Sequence, residues 1–221
     1  MTSRRDFLRR AGAASALWGM TDLLDPFSLE ASPAPASTEW DVSWVNRITG
    51  KHRVVFDAAE VEGSAGIRRA AAWVAQYMAV LKTPRAALSP VIIIRHNAVV
   101  LGLSNAFWAR YGVAARYQVL HPMTGAAIDR NPAIFDESDG LPPGTGASTL
   151  PSQIAGGAIV LACDLALRGV VALVREQDQL PEPEARRVVL DAMMPGVILQ
   201  PSGVFAAVLA QEHGCAYVRA S

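Results

Sequence analysis

Gly156-Gly-Ala-Ile-Val-Leu-Ala-Cys163-Asp164 is the stretch on which the fold turns. Its apolar run from Ala158 to Ala162 does not alternate with polar residues, so a strand here has both faces buried, as in a parallel sheet covered by helices. The run ends on a cysteine and an acid. Open α/β sheets bind ligands outside the carboxyl ends of their strands, which makes Cys163 the leading candidate for a site residue.

Other segments share this character. Ser89-Pro-Val-Ile-Ile-Ile-Arg95-His96 holds three consecutive isoleucines, which cannot alternate in and out, and it delivers Arg95, His96 and Asn97 to the end of a strand. Lys51-His-Arg-Val-Val-Phe-Asp57 is β-branched at its centre and stopped by an acid, and residues 195–200 and 214–219 read as two further strands. Helical spacing lies between them. From a cap at Ser64, Ile67, Ala71, Val74, Met78 and Leu81 form one apolar stripe, with Arg68, Arg69 and Gln76 on a solvated face. Val100, Leu103, Phe107 and Tyr111 continue as a helix to Gly112, and Asp164 is placed to cap a helix beginning at Leu165. Residues 182–193 form another, and a last helix starts from a cap at Ser202 with Phe205, Val208 and Leu209 on its buried side. Strand and helix in succession predict an α/β fold: a three-layer single domain over residues 37–221, with a mostly parallel sheet flanked by helices.

Two segments stand apart from this succession. Trp40-Asp-Val-Ser-Trp-Val45 reads as an arm that packs its tryptophans on the domain. Residues 117–154 form a long excursion rich in Gly, Pro, Ser and Thr, longer than a plain connector in a compact domain. Its first half, with His121, Asp129, Arg130 and Asn131 among turn residues, is expected to be ordered by turn hydrogen bonds, and residues 139–148 to be flexible.

The 221 residues carry 20 Lys and Arg against 20 Asp and Glu, a balance without the basic excess that a phosphate-binding surface needs, so nucleic acid is not expected as a partner. No G-x-G-x-x-G, P-loop, G-x-S-x-G or H-E-x-x-H motif is present, and no cofactor is expected. His96, His121 and Cys163 are metal-ligand types, but no short-range spacing joins them, and no metal is assigned. At the N-terminus, Ser3-Arg-Arg5-Asp-Phe-Leu-Arg9 resembles a twin-arginine export signal. Residues 11–20 fall short of the roughly 20 apolar residues that span a bilayer, and small residues at Ala34 and Ala36 suit cleavage after Ala36. This implies the twin-arginine translocase as a partner during export, a periplasmic location and no stable membrane anchor.

The C-terminal third carries a further resemblance. Gly156-Gly-Ala-Ile-Val-Leu-Ala-Cys163, then Met194-Pro-Gly-Val-Ile-Leu-Gln-Pro-Ser-Gly-Val204, then Gln211-Glu-His-Gly-Cys-Ala-Tyr-Val-Arg219 is similar to the DsrE-like (DsrE/DsrF/TusD-type) sulfur-relay proteins. There a strand ends at a cysteine, a Gly-Val strand leads through Pro-Ser-Gly into a helix, and a Gly-x-Ala-Tyr strand closes the sheet. The similarity runs from about residue 54 to 218, with the excursion at 117–154 outside the family's compact core. It implies sulfur carried as a persulfide on Cys163, and a homo-oligomer, trimer or hexamer.

The residues themselves allow two readings of the site. A thiol beside a helix N-terminus has the electrostatics of a nucleophile, whereas cysteine also packs as a small buried hydrophobe. On a parallel sheet Arg95 and His96 open on the edge of Cys163, where they can lower the thiol's pKa or hold an anionic ligand, or else serve only a surface pair and a turn. His121 is the third ligand-binding candidate, placed to fold over that edge from the excursion. Cys215 begins its strand while Cys163 ends its own, about four or five residues of strand apart at about 3.3 Å each. A disulfide, which needs Cα atoms within about 7 Å, is therefore not expected, and Cys215 is assigned to the core. Against a protein that handles sulfur or a small thiol-reactive ligand through Cys163 stands a noncatalytic periplasmic binding or assembly module that keeps only the fold.

Overall fold

Five strands, β1 (His52–Ala58), β2 (Leu88–Ile94), β3 (Ile159–Cys163), β4 (Val197–Gln200) and β5 (Ala216–Arg219), form a sheet in the order β4-β3-β2-β1-β5. Every neighbouring pair is parallel. The structure, a computed structural model, describes residues 40–221; the twin-arginine stretch and the position after Ala36 lie outside the described residues. Among the described residues seven α-helices accompany the sheet: α1 (Ala65–Leu81), α2 (Asn105–Arg110), α3 (Val113–Arg116), α4 (Leu150–Ala155), α5 (Asp164–Asp178), α6 (Glu182–Asp191) and α7 (Gly203–Glu212). No helix among the described residues is long and apolar enough to cross a membrane.

The isoleucine run explains the layering. All seven residues of β2 are buried, and register sets Ile92 between Phe56 and Val160. Val54, Phe56, Ile92, Ile94, Val160 and Ala162 face one core, shared with α1, α5 and a 3-10 helix at His96–Gly102. Val55, Val91, Ile93, Ile159 and Leu161 face the other, which is closed by α7 and by Trp44 and Ile48 of the N-terminal arm. Each fully buried isoleucine contributes about 1.5–3 kcal/mol of transfer free energy. The three expected layers are present, and the sheet is parallel throughout.

Several local expectations are corrected. Ser64 does not cap α1: its backbone is left-handed (φ 69°), and its hydroxyl donates to the Pro132 carbonyl instead. Arg68 is not on a solvated face. Its guanidinium donates to Ser64 Oγ, Ser148 Oγ and the carbonyls of Pro132 and Phe135, tying the excursion to α1. The helix expected through residues 100–111 is split, because Leu103 pairs with Met193 in an isolated bridge and Ser104 then caps α2 by accepting the Phe107 N–H. On α7 the buried residues are Gly203, Ala206, Ala207 and Ala210, while Phe205 and Val208 are 40% and 49% exposed. A helix seated close on a sheet buries its small residues; of the three large ones expected inside, Leu209 packs half-buried against the core and the other two turn outward.

The excursion is built from short turns. Asp136 and Asp139 form a capping box around Glu137–Asp139, and Thr145–Ser148, in the half expected to be flexible, forms a further 3-10 turn. Arg130 pairs with Asp139, as bracing by turn residues requires. Asn131 is fully buried: its amide donates to the Leu101 and Leu103 carbonyls, at 2.9 and 2.7 Å, and its carbonyl accepts the Ala133 N–H. An Asn131→Ala variant leaves three backbone groups without partners and is expected to lose about 2–4 kcal/mol, read as a lower urea midpoint at unchanged slope.

Candidate functional site

The carboxyl ends of the five strands form the edge to which the sequence directs attention. β3 passes directly into α5 there, and the residue at the junction is Cys163. Its backbone stays extended (φ −83°, ψ 115°), and its sulfur accepts the Ala166 N–H at 3.4 Å. The thiol itself, rather than Asp164, is therefore the cap of a 15-residue helix. A helix N-terminus carries partial positive charge that favours a thiolate. The Asp164 carboxylate, in the first turn, is held by Arg186 at 2.6 Å, with Arg168 at 4.0 Å. Cys163 is free and 6% exposed.

Asp57, Arg95 and Tyr217 gather at the same edge. Arg95 donates to both Asp57 carboxylate oxygens, Nε to Oδ1 at 2.7 Å and Nη2 to Oδ2 at 2.9 Å, and the Tyr217 hydroxyl donates to Oδ2 at 2.5 Å. Asp57 is 3% exposed. Burial alone pushes its carboxyl up, but the hydrogen bonds from Arg95 and Tyr217 and the charges of Arg95 and Arg219 outweigh it and hold the group below the usual carboxylate range. The bond to Asp57 in turn raises Tyr217 and Arg95 above their ordinary values. Gly203 makes room for this arrangement: a Cβ there would meet Arg95 Cβ at 2.7 Å and Cδ at 2.6 Å.

Arg95 follows Ile94, and Cys163 follows Ala162, its register partner, so strand pairing brings the two to neighbouring positions. Alternation along β2 and β3 puts both on the α7 face. The guanidinium is engaged by Asp57 rather than by the thiol, whose one hydrogen bond among the described residues is to Ala166. On the other side of Cys163 its register partner is Gln200, fully buried, with its amide N–H groups on the Asp41 and Leu199 carbonyls and its Oε1 without a donor among the described residues. The two histidines lie elsewhere. His96 is bound through Nδ1 to Glu60 at 3.0 Å and is largely exposed. His121 donates Nε2–H to the Asp139 carbonyl, accepts the Met123 and Thr124 N–H groups at Nδ1 and packs on Phe135. These bonds fix its tautomer and make it a brace of the excursion. Residues 117–120 do reach the strand-end side, where they border a polar cleft of about 380 Å³ with Glu60 and Asn97. Among the described residues no group of three or more His, Cys, Asp or Glu gathers as a metal site.

Cys215 precedes β5, at the opposite end of the sheet from Cys163. Its thiol is free, and burial pushes its pKa up to about 11. Asp57 and Tyr217 were not singled out by the sequence. The available signal was an acid closing the apolar run Val54-Val-Phe56, at the edge where α/β sheets keep their sites. Comparison with family models, with curated proteins and with solved structures finds no match to the chain.

Because its pKa is lowered on folding, Asp57 stabilises the fold above the ordinary carboxylate value of about 3.9, and that contribution is lost as pH falls through its folded pKa. Asp57→Asn is expected to cost roughly 2–4 kcal/mol at pH 7. In urea titrations between pH 7 and pH 2.5 the gap from wild type should hold steady down to about pH 4 and close below it.

Proposed function

We propose that this chain is an exported, DsrE-like protein that receives and passes on sulfur at Cys163. The observation that carries this reading is a free thiol capping a long helix at the carboxyl edge of a parallel sheet, with a backbone N–H directed at its sulfur. In the reaction, the Cys163 thiolate attacks a terminal sulfur of an inorganic polysulfide. A new S–S bond forms on the protein, the old one breaks, and its electron pair leaves with the shortened polysulfide. Cys163 then holds a persulfide, and attack by an acceptor thiolate on the outer sulfur returns the cysteine thiolate. Arg95 and Asp57 shape the adjoining edge, and a trimer or hexamer is the assembly that the family resemblance implies.

One observation favours the noncatalytic binding module: at 6% exposure Cys163 is packed as a small core residue is. Intact mass separates the two. After exposure of the folded protein to polysulfide, wild type should gain one sulfur atom, reversed by a reductant, and Cys163→Ser should gain none. Cys215 is an internal reference, because its raised pKa leaves almost no thiolate at pH 7.5. A folded wild type that stays unmodified, or a serine variant modified to the same extent, sinks the sulfur reading. For the export half of the proposal, replacing Arg4 and Arg5 by lysine should abolish appearance of the chain, shortened to begin after Ala36, in the periplasmic fraction.

A further inference from the structure

At the end of the sheet away from Cys163, a cavity of about 510 Å³ opens beneath α1. Its walls are Ala71, Val74, Ala75 and Met78 on α1, Pro90 and Ala158 at the amino ends of β2 and β3, and the turn at Thr145–Ser148 with α4. The volume falls within the roughly 300–1,000 Å³ of small-molecule pockets. The outer half of α1 is apolar yet uncovered, with Met78 at 42% and Leu81 at 58% exposure.

Two arginines, Arg68 and Arg85, line this space, and no acidic side chain does. Neither forms an ion pair among the described residues. Among the described residues the bonds of Arg68 all go to hydroxyl and carbonyl oxygens, and Arg85 donates from Nη1 to the Leu88 carbonyl at 2.7 Å, with no acceptor at Nε or Nη2. Burial lowers the pKa of both, the signature of cations partly removed from water without a counterion. A guanidinium with free donors is matched by a carboxylate, which it binds through two parallel bonds.

We propose that this cavity binds an amphiphilic monocarboxylate, its apolar chain along the Ala71–Met78 side of α1 and its carboxylate on Arg85, with Arg68 adding a second positive charge. The site is independent of Cys163, being at the other end of the strands and on the opposite face of the sheet.

Calorimetric titration of the full chain with decanoate below its micellar concentration, and with decanol and decyltrimethylammonium, tests this. Decanoate should bind saturably at one site per chain, decanol at least about tenfold more weakly, and the ammonium not at all. Arg85→Met, which keeps the stem and removes the charge, should weaken decanoate about tenfold. Ala75→Phe, which places a ring in the cavity from an exposed helical position, should abolish binding with circular dichroism unchanged, and Cys163→Ser should bind as wild type does. The proposal is overturned if nothing binds, if decanol equals decanoate, if Arg85→Met retains full affinity, or if Ala75→Phe still binds. Sedimentation showing a dimer through α1 that decanoate does not dissociate overturns it as well.

Discussion

A carboxylate buried at the carboxyl edge of a sheet is tolerated only if its partners arrive together, and Asp57 takes its partners from both sides. Arg95 comes from the end of β2 and Tyr217 from β5, the two strands that flank β1. Shifting either strand by one residue turns its donor to the other face and leaves an ion in an apolar layer, a cost of several kcal/mol. Three adjacent strands are thus held in register by one charge. The same requirement fixes Gly203, because Arg95 reaches Asp57 along a path that a side chain on the first turn of α7 would block.

The strand ends then fall into place around this tie. With β2 registered on β1, pairing of Ile94 with Ala162 sets the level at which β3 ends, and so the level at which α5 begins with sulfur as its cap. The thiol sits between the Asp57–Arg95 pair on one side and Gln200 on the other. Its surroundings combine a helix end and a backbone donor with near-complete burial. The neighbouring Asp164 carboxylate is held by Arg186, contributed by α6.

Strands were legible because doubly covered strands are written in composition: the Ile92–Ile94 run and the Ala158–Ala162 run admit no other exposure, and both were found to within a residue or two. Helix ends were less so, since a cap depends on backbone angles that residue type only biases; Ser64 and Asp164 look like caps, and a left-handed backbone and a neighbouring cysteine displace them. Burial on α7 departs from the expected pattern because periodicity ranks residues by size and apolarity, whereas the fully buried positions above the sheet are glycine and alanine, with Leu209 only half-buried beside them. Arg68 illustrates a different limit. Its place off the apolar stripe follows from helical spacing, but that a loop more than 60 residues downstream settles on it is not a local property. The edge that holds Cys163 and Arg95 was legible from strand polarity, while the Asp57–Tyr217 contact joins residues 160 apart and leaves no periodic trace.

That separation also governs how the chain is made. β1 is an interior strand, yet one of its neighbours is synthesised 160 residues later, so throughout translation its Val54-Val55-Phe56 ladder has an open side. Pairings this distant in sequence slow folding and keep unpaired edges exposed to other chains. A nascent chain of this topology keeps one side of that apolar ladder unpaired until β5 is made, and products truncated before β5 carry the open β1 edge permanently.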